Sequence, residues 1–339
     1  MGSGLRTRSW LGNPASGYAE DMGRDLQNLP DTGAPGPWFL RDVRLARAYF
    51  GVQAVAGALW WITVFASDQV RFATLGALNP VAVFWLDLPL FVLASGVAAA
   101  GWRPAAAVSA LWTALVATGM ATYATITTLG GWGAILMVAA AIGSVGSALV
   151  FRLGRVPSEL LLRGPLAGRT DTSRTTGTRL RRTAAQTSVF WVLFLAAFPL
   201  LIAWLESRWG LAIEIGGAWR WTGAALFLAA GALGIWAAVS LATTGKGTPL
   251  PSAATTTLVI RGPYRFVRNP MALGSIAQGV AVGVMLSSWF VVLYAIAGAL
   301  VWDWLVRPHE EQDLAERFGE PFRAYQERVR CWIPTFPRG

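Results

Sequence analysis

The feature that most restricts this chain is a series of apolar stretches, each as long as a bilayer's hydrocarbon core is thick. Crossing that core as a helix takes about 20 apolar residues. Such runs lie near 48–66, 81–101, 105–127, 132–151, 188–205 and 219–243. A longer one, from about 271 to 306, is interrupted at Ser287-Ser288 and has room for two helices joined by a tight turn. The expected fold is all-α: a polytopic transmembrane helical bundle of about eight membrane segments, including a C-terminal helical hairpin, followed by a cytoplasmic amphipathic tail.

Composition and charge agree with that reading. Of 339 residues, 54% are hydrophobic and 14% charged, against about 25% charge in soluble domains. Mean hydropathy is +0.47. The 18 Trp and 37 Gly suit membrane interfaces and spanning helices respectively. The net charge of +10 does not point to nucleic acid, because the basic residues sit between apolar runs, where they orient the chain and meet anionic headgroups. Eight Arg lie between 152 and 182 against Glu159 and Asp171. With the N-terminus inside, the opposite side receives only Arg71, Arg208 and Arg220, so the positive-inside rule places both termini in the cytoplasm. Lys246 is the only lysine, an arginine bias that suggests a bacterial source and hence the bacterial cytoplasmic membrane. Cys331 and His309 are each the only residue of their type, which excludes an intrachain disulfide and thiolate clusters and leaves no metal site expected. Residues 1–40 hold no apolar core of signal-peptide length.

Four regions follow: a poorly ordered N-terminal segment (1–40), a four-helix transmembrane bundle (41–151), a basic cytoplasmic linker (152–187) and a second transmembrane unit (188–339). The densest polar signal lies in the last, at Arg261-Gly262-Pro263-Tyr264-Arg265-Phe266-Val267-Arg268-Asn269-Pro270. Its plain reading is a basic interfacial turn, with Pro270 at a helix start, where a missing N–H is harmless. A second cluster follows the last apolar run: Arg307-Pro308-His309-Glu310-Glu311, then Leu314, Phe318, Phe322, Tyr325 and Val329 at helical spacing, interrupted at Gly319. Taken alone, the adjacent carboxylates read as a solvated helix start and the apolar series as a helix lying on the membrane.

In this order and spacing the two clusters resemble the isoprenylcysteine carboxyl methyltransferases and the related phospholipid methyltransferases. The resemblance covers about 220–335 and rests on Gly262-Pro263-Tyr264-Arg265, Arg268-Asn269-Pro270-Met271, Gly274, Glu310-Glu311, Leu314, Phe318-Gly319, Tyr325, Val329, Arg330 and Pro334. It implies that 188–339 is a methyltransferase-like domain whose C-terminal helices and tail wrap S-adenosyl-L-methionine on the cytoplasmic side, while a lipophilic acceptor enters from the bilayer. The implied cofactor-binding residues are Gly245, Gly247, Gly262, Tyr264, Arg265, Arg268, Asn269, Pro270, Gly274, Glu310 and Glu311. Arg265 or Arg268 can take the cofactor carboxylate, Glu310 and Glu311 its ammonium or ribose, and Tyr264 its adenine. Two positions depart from the family. Asn269 stands where His is common, and Ala272 stands where a Tyr is usual, which implies a roomier site or a different acceptor.

Methyl transfer from a sulfonium leaves the protein mainly alignment and water exclusion. A carboxylate acceptor needs positive charge and no general base, whereas an amine or thiol must first lose a proton. The surplus of Arg favours an anionic acceptor, such as the carboxylate of a prenyl or terpenoid-type molecule. Arg261, Arg307 and Glu311 are the catalytic candidates; Arg323, Tyr325 and Arg328 are the substrate-side ones. Phospholipid amines and thiols remain alternative acceptors within the same chemistry. Two readings of another class are a sterol-reductase-like oxidoreductase and a non-catalytic membrane module, in which Asp87 and Asp303 would be the residues of interest.

Overall fold

A computed structural model describes residues 37–157, 176–213, 216–245 and 257–335. The N-terminal segment, most of the basic linker, and the Lys246-Gly247 loop with Pro249 lie outside these. Everything described as regular structure is helical. Val43–Ala66 (α1) is followed by the short Asp68–Leu75 (α2), then Pro80–Ala99 (α3), Arg103–Thr127 (α4) and Gly131–Leu153 (α5). A helix that begins at Thr176 spans over Thr187–Arg208 (α6), and Gly217–Thr244 forms α7. Pro270–Leu286 (α8) and Trp289–Phe318 (α9) make the hairpin, and Glu320–Arg328 (α10) closes the tail. Seven of these helices are long and apolar enough to cross a membrane; α8, with 17 residues, is the short eighth segment. The chain is an integral membrane protein.

Large side chains such as Leu111, Ile142 and Leu228 are more than 70% exposed, while Ala, Ser and Thr fill the helix contacts. That inversion is expected where lipid replaces water and small residues let backbones approach. Gly274 is one such point: a Cβ there would lie 3.0 Å from the Ala230 carbonyl oxygen of α7. Two polar groups inside the first four membrane helices are fully engaged. Gln53 donates to Ser95 and Ser109 and accepts from Tyr49 and Ser144. Asp87 accepts one indole N–H on each oxygen, from Trp61 and Trp112, both at 2.9 Å. Asp87 therefore ties α3 to α1 and α4. Contacts to the later helices run through the end of α6, where Arg208 donates to the Thr125 and Ile126 carbonyls and Trp209 to the Thr125 hydroxyl.

Among the described residues three helices widen to i-to-i+5 turns, at Leu88–Leu93, Trp191–Ala197 and Trp302–Val306. Each holds or shortly precedes a proline (Pro89, Pro199, Pro308) that cannot donate to the carbonyl four residues back. The hairpin turn is set by Ser287, in the left-handed region (φ 53°), and by Ser288, whose hydroxyl caps α9 by accepting from Val291 N.

Two expectations change in detail. Glu310-Glu311 do not start a new helix. Pro308 widens the turn before it without breaking the helix, so α9 runs on to Phe318. At about 1.5 Å per residue its 30 residues exceed the hydrocarbon thickness, so the turns after Pro308 project beyond the membrane. Within the stretch read as linker, the chain is helical from Thr176; arginine is a good helix former, and the apolar run sets only where the membrane begins.

Candidate active site

The projecting end of α9, the turn before α8 and the tail enclose a partly open cavity of about 560 Å³, counting its mouth. The first cluster contributes Tyr264, Arg268 and Asn269 to its wall. The second contributes Arg307, Glu310, Glu311 and Leu314, with Phe322 and Tyr325 from α10. Arg307, Glu310, Glu311 and Leu314 follow the 3-1-3 spacing of one helical face. Trp302, five residues before Arg307, also lines the cavity, because the widened turn brings residues five apart onto one side. Pro308 is thus the local cause of how this wall is aimed.

Arg268 binds the tail to the turn. Its Nη1 donates to the carbonyls of Gln326 (3.0 Å) and Val329 (3.1 Å), the C-terminal end of α10, and its Nη2 pairs with Glu311 Oε1 at 3.0 Å. Glu311 Oε2 accepts from Gln326 Nε2. Both oxygens of Glu311 are therefore occupied, one tying α9 to the turn before α8 and the other tying it to α10. Arg268 Nε is buried and has no hydrogen-bond partner among the described residues. The Tyr325 hydroxyl donates to the Tyr264 carbonyl at 2.6 Å, and Phe322, Tyr325 and Val329 pack on Leu258, Leu314 and Phe318.

Glu310 differs from its neighbour. Burial, with the Glu311 and Asp313 carboxylates beside it, pushes its carboxyl up to about 7. Burial also raises the Tyr264 and Tyr325 phenols well above their usual range. It raises the Cys331 thiol, against the pull of the Arg307 and Arg268 guanidiniums. Arg307 is held by Asp303, Nε to Oδ1 at 3.0 Å. The cavity thus offers one carboxyl poised near neutrality, one oriented guanidinium, and aromatic and aliphatic walls.

The residues expected from the sequence divide into three groups. Tyr264, Arg268, Asn269, Arg307, Glu310, Glu311 and Tyr325 meet at the cavity. Gly262, Pro270 and Gly274 build its frame. Gly262 has φ +63°, and a Cβ there would meet the Ser240 hydroxyl at 2.6 Å; Pro270 is the first residue of α8, capped by Asn269 Oδ1, which accepts from Ala272 N. Gly245 ends α7. Arg261, Arg265, Arg323 and Arg328 are exposed and do not line the cavity: Arg265 lies over the Phe266 ring, Arg323 faces Glu320, and Arg328 caps its own helix. Gly247 is outside the described residues. Ala272 and His309 are not in the wall either. Trp302, Leu241 and Cys331 line the cavity without having been singled out. Pro308, five residues after Asp303, is the one signal that could have pointed to Trp302.

No curated protein and no solved structure matches the chain. The segment that builds most of this cavity, residues 218–321 in the C-terminal part, matches a family model, that of PEMT, phospholipid methyltransferase.

Proposed function

We propose that the protein is an S-adenosylmethionine-dependent methyltransferase that uses this cavity, on the cytoplasmic side of the membrane, to methylate a lipophilic acceptor. The observation that carries the reading is the convergence of two distant sequence clusters on one cavity of mixed charge. Its walls suit the cofactor: Tyr264, Trp302 and Phe322 for a purine face, Glu310 for an ammonium, and Arg307 with the unpartnered Arg268 Nε for a carboxylate. When bound, S-adenosylmethionine supplies an electrophilic methyl group on a sulfonium. The chain's own residues bind and orient. Glu311 and Arg268 hold α10 over the cavity, Leu314 and Phe322 exclude water, and Asp303 fixes the direction of Arg307.

For the acceptor, the guanidinium of Arg307 on the wall supports a carboxylate, most simply that of a prenyl or terpenoid-type molecule, giving O-methylation. A second reading, N-methylation of a phospholipid amine, is favoured by Glu310, whose carboxyl near 7 is suited to accept a proton at neutral pH. Incubation with radiolabelled cofactor and a membrane-lipid extract separates them. Label lost on mild alkaline treatment marks a methyl ester; label that survives marks an amine. No transfer to any lipid, with S-adenosylhomocysteine failing to bind, would overturn the proposal.

A further inference from the structure

The tail beyond α10 crosses the cavity as a strap. Its first residue accepts from Arg268 N through the Arg330 carbonyl (3.0 Å), and its last donates from Thr335 N to the Phe266 carbonyl (2.8 Å). The Arg330 amide is turned inward onto the Thr335 hydroxyl. Between these anchors Cys331 is buried and forms part of the cavity wall. The middle of the strap is held by the indole of Trp332, whose Nε1 donates to Asp303 Oδ1 at 2.8 Å and whose ring meets Trp302 edge-on at 5.2 Å.

Asp303 Oδ1 therefore serves two cavity elements at once, the strap through Trp332 and the wall through Arg307 at 3.0 Å. Its position follows from the widened turn Trp302–Val306. That turn carries Trp302 at the cavity and Asp303 at the latch. It also carries Trp304, which packs on Phe39 at 4.9 Å.

We propose that Asp303 is a positioning residue, and that residues 330–335 are a strap which it latches shut over the cavity and which opens to admit the ligand. The middle of the strap is held by the Trp332 hydrogen bond, its ring contact with Trp302 and a hydrogen bond between the Cys331 thiol and Arg307, whereas the helices below it are held by extensive packing. Local opening of such a segment costs far less than global unfolding. What ligand enters rests on the methyltransferase reading; the existence of the strap does not.

Cys331 is the only thiol, so its alkylation by a water-soluble maleimide in the purified full-length protein reports opening. Loss of one hydrogen bond corresponds to roughly a fivefold change in an opening equilibrium. Trp332→Phe, which keeps a ring, and Asp303→Ala are each expected to label about fivefold faster than the parent. Asp303→Asn, whose amide oxygen still accepts the indole N–H, stays near the parent rate. All rates stay flat in low urea, as local opening requires, and saturating S-adenosylhomocysteine slows them. Equal rates for the parent, Trp332→Phe and Asp303→Ala, or rates that climb with urea as global unfolding does, would overturn the strap. Faster variants with no effect of S-adenosylhomocysteine would uphold the strap and contradict the cofactor assignment.

Discussion

Glu310 and Glu311 are adjacent in the chain, yet their surroundings give them different work. Glu311 spends both oxygens on Arg268 and Gln326, so removing it costs the docking of α10. Glu310 faces the cavity with a carboxyl raised to about 7 from 4.5. The sign of its linkage follows. Between pH 4.5 and about 7 the unfolded chain loses this proton while the folded chain keeps it, so Glu310 makes stability fall as pH rises through that window. Glu310→Gln should flatten that part of a melting-temperature profile measured from pH 5 to 8. A cationic ligand group beside Glu310 favours the carboxylate. Binding of S-adenosylhomocysteine should therefore release close to one proton at pH 6 and almost none at pH 8, as read by calorimetry in buffers of different ionisation enthalpy. Arg268 is the other residue whose loss should be visible. Arg268→Met leaves the Gln326 and Val329 carbonyls and Glu311 without their partner, at a cost of about 3 kcal/mol. Hydrogen exchange should rise over 320–335 and remain unchanged in α1–α5.

At the scale of elements, the positions of the helices were readable and the aim of their side chains was not. Apolar length decides where a helix crosses, and all eight expected segments coincide with helices. The apolar series Leu314, Phe318, Phe322, Tyr325 and Val329 forms one cluster but not one helical face on the membrane: Gly319 divides it, and the α10 residues pack back on Leu314 and Phe318 of α9. What the chain's linear pattern concealed was direction. Arg265 and Arg268 look equivalent as cations three residues apart, but the short turn at Gly262–Arg265 leaves one over the Phe266 ring and carries the other under the tail. Trp302 is not legible as a wall residue in the sequence, because a regular helix would point it away from Arg307. Pro308→Ala restores the missing N–H donor and should narrow the turn, rotating Trp302 away from the Arg307 face. The expected result is an intact fold by circular dichroism and a loss of S-adenosylhomocysteine affinity of at least about tenfold. Unchanged affinity would show that the widened turn does not set the wall.

For the whole molecule, we propose a direction across the membrane from the positive-inside rule. It puts Arg261, Arg265 and the tail arginines on one side, and Arg71 with Arg208 on the other. The cavity lies at the basic side, next to the projecting end of α9. In a Cys331→Ser background, an impermeant thiol reagent applied to intact cells should label Gln69→Cys, beside Arg71, and leave Glu327→Cys unlabelled until the membrane is opened. Among the described residues, the first four membrane helices contribute none to the cavity wall. Asp87, between the two indoles, has the position of a packing residue, and Asp303 serves the strap.

In the proposed function the two clusters meet to hold a sulfonium-type cofactor, with Glu310 inside the site and Arg265 outside it. That proposal is tested most directly by calorimetric titration of the purified protein with S-adenosylhomocysteine at pH 8. Glu310→Gln should weaken binding about tenfold, the measure of one charge-assisted contact, and Arg265→Ala should change it less than threefold. No binding by the parent, or a loss in Arg265→Ala as large as that in Glu310→Gln, would contradict the account.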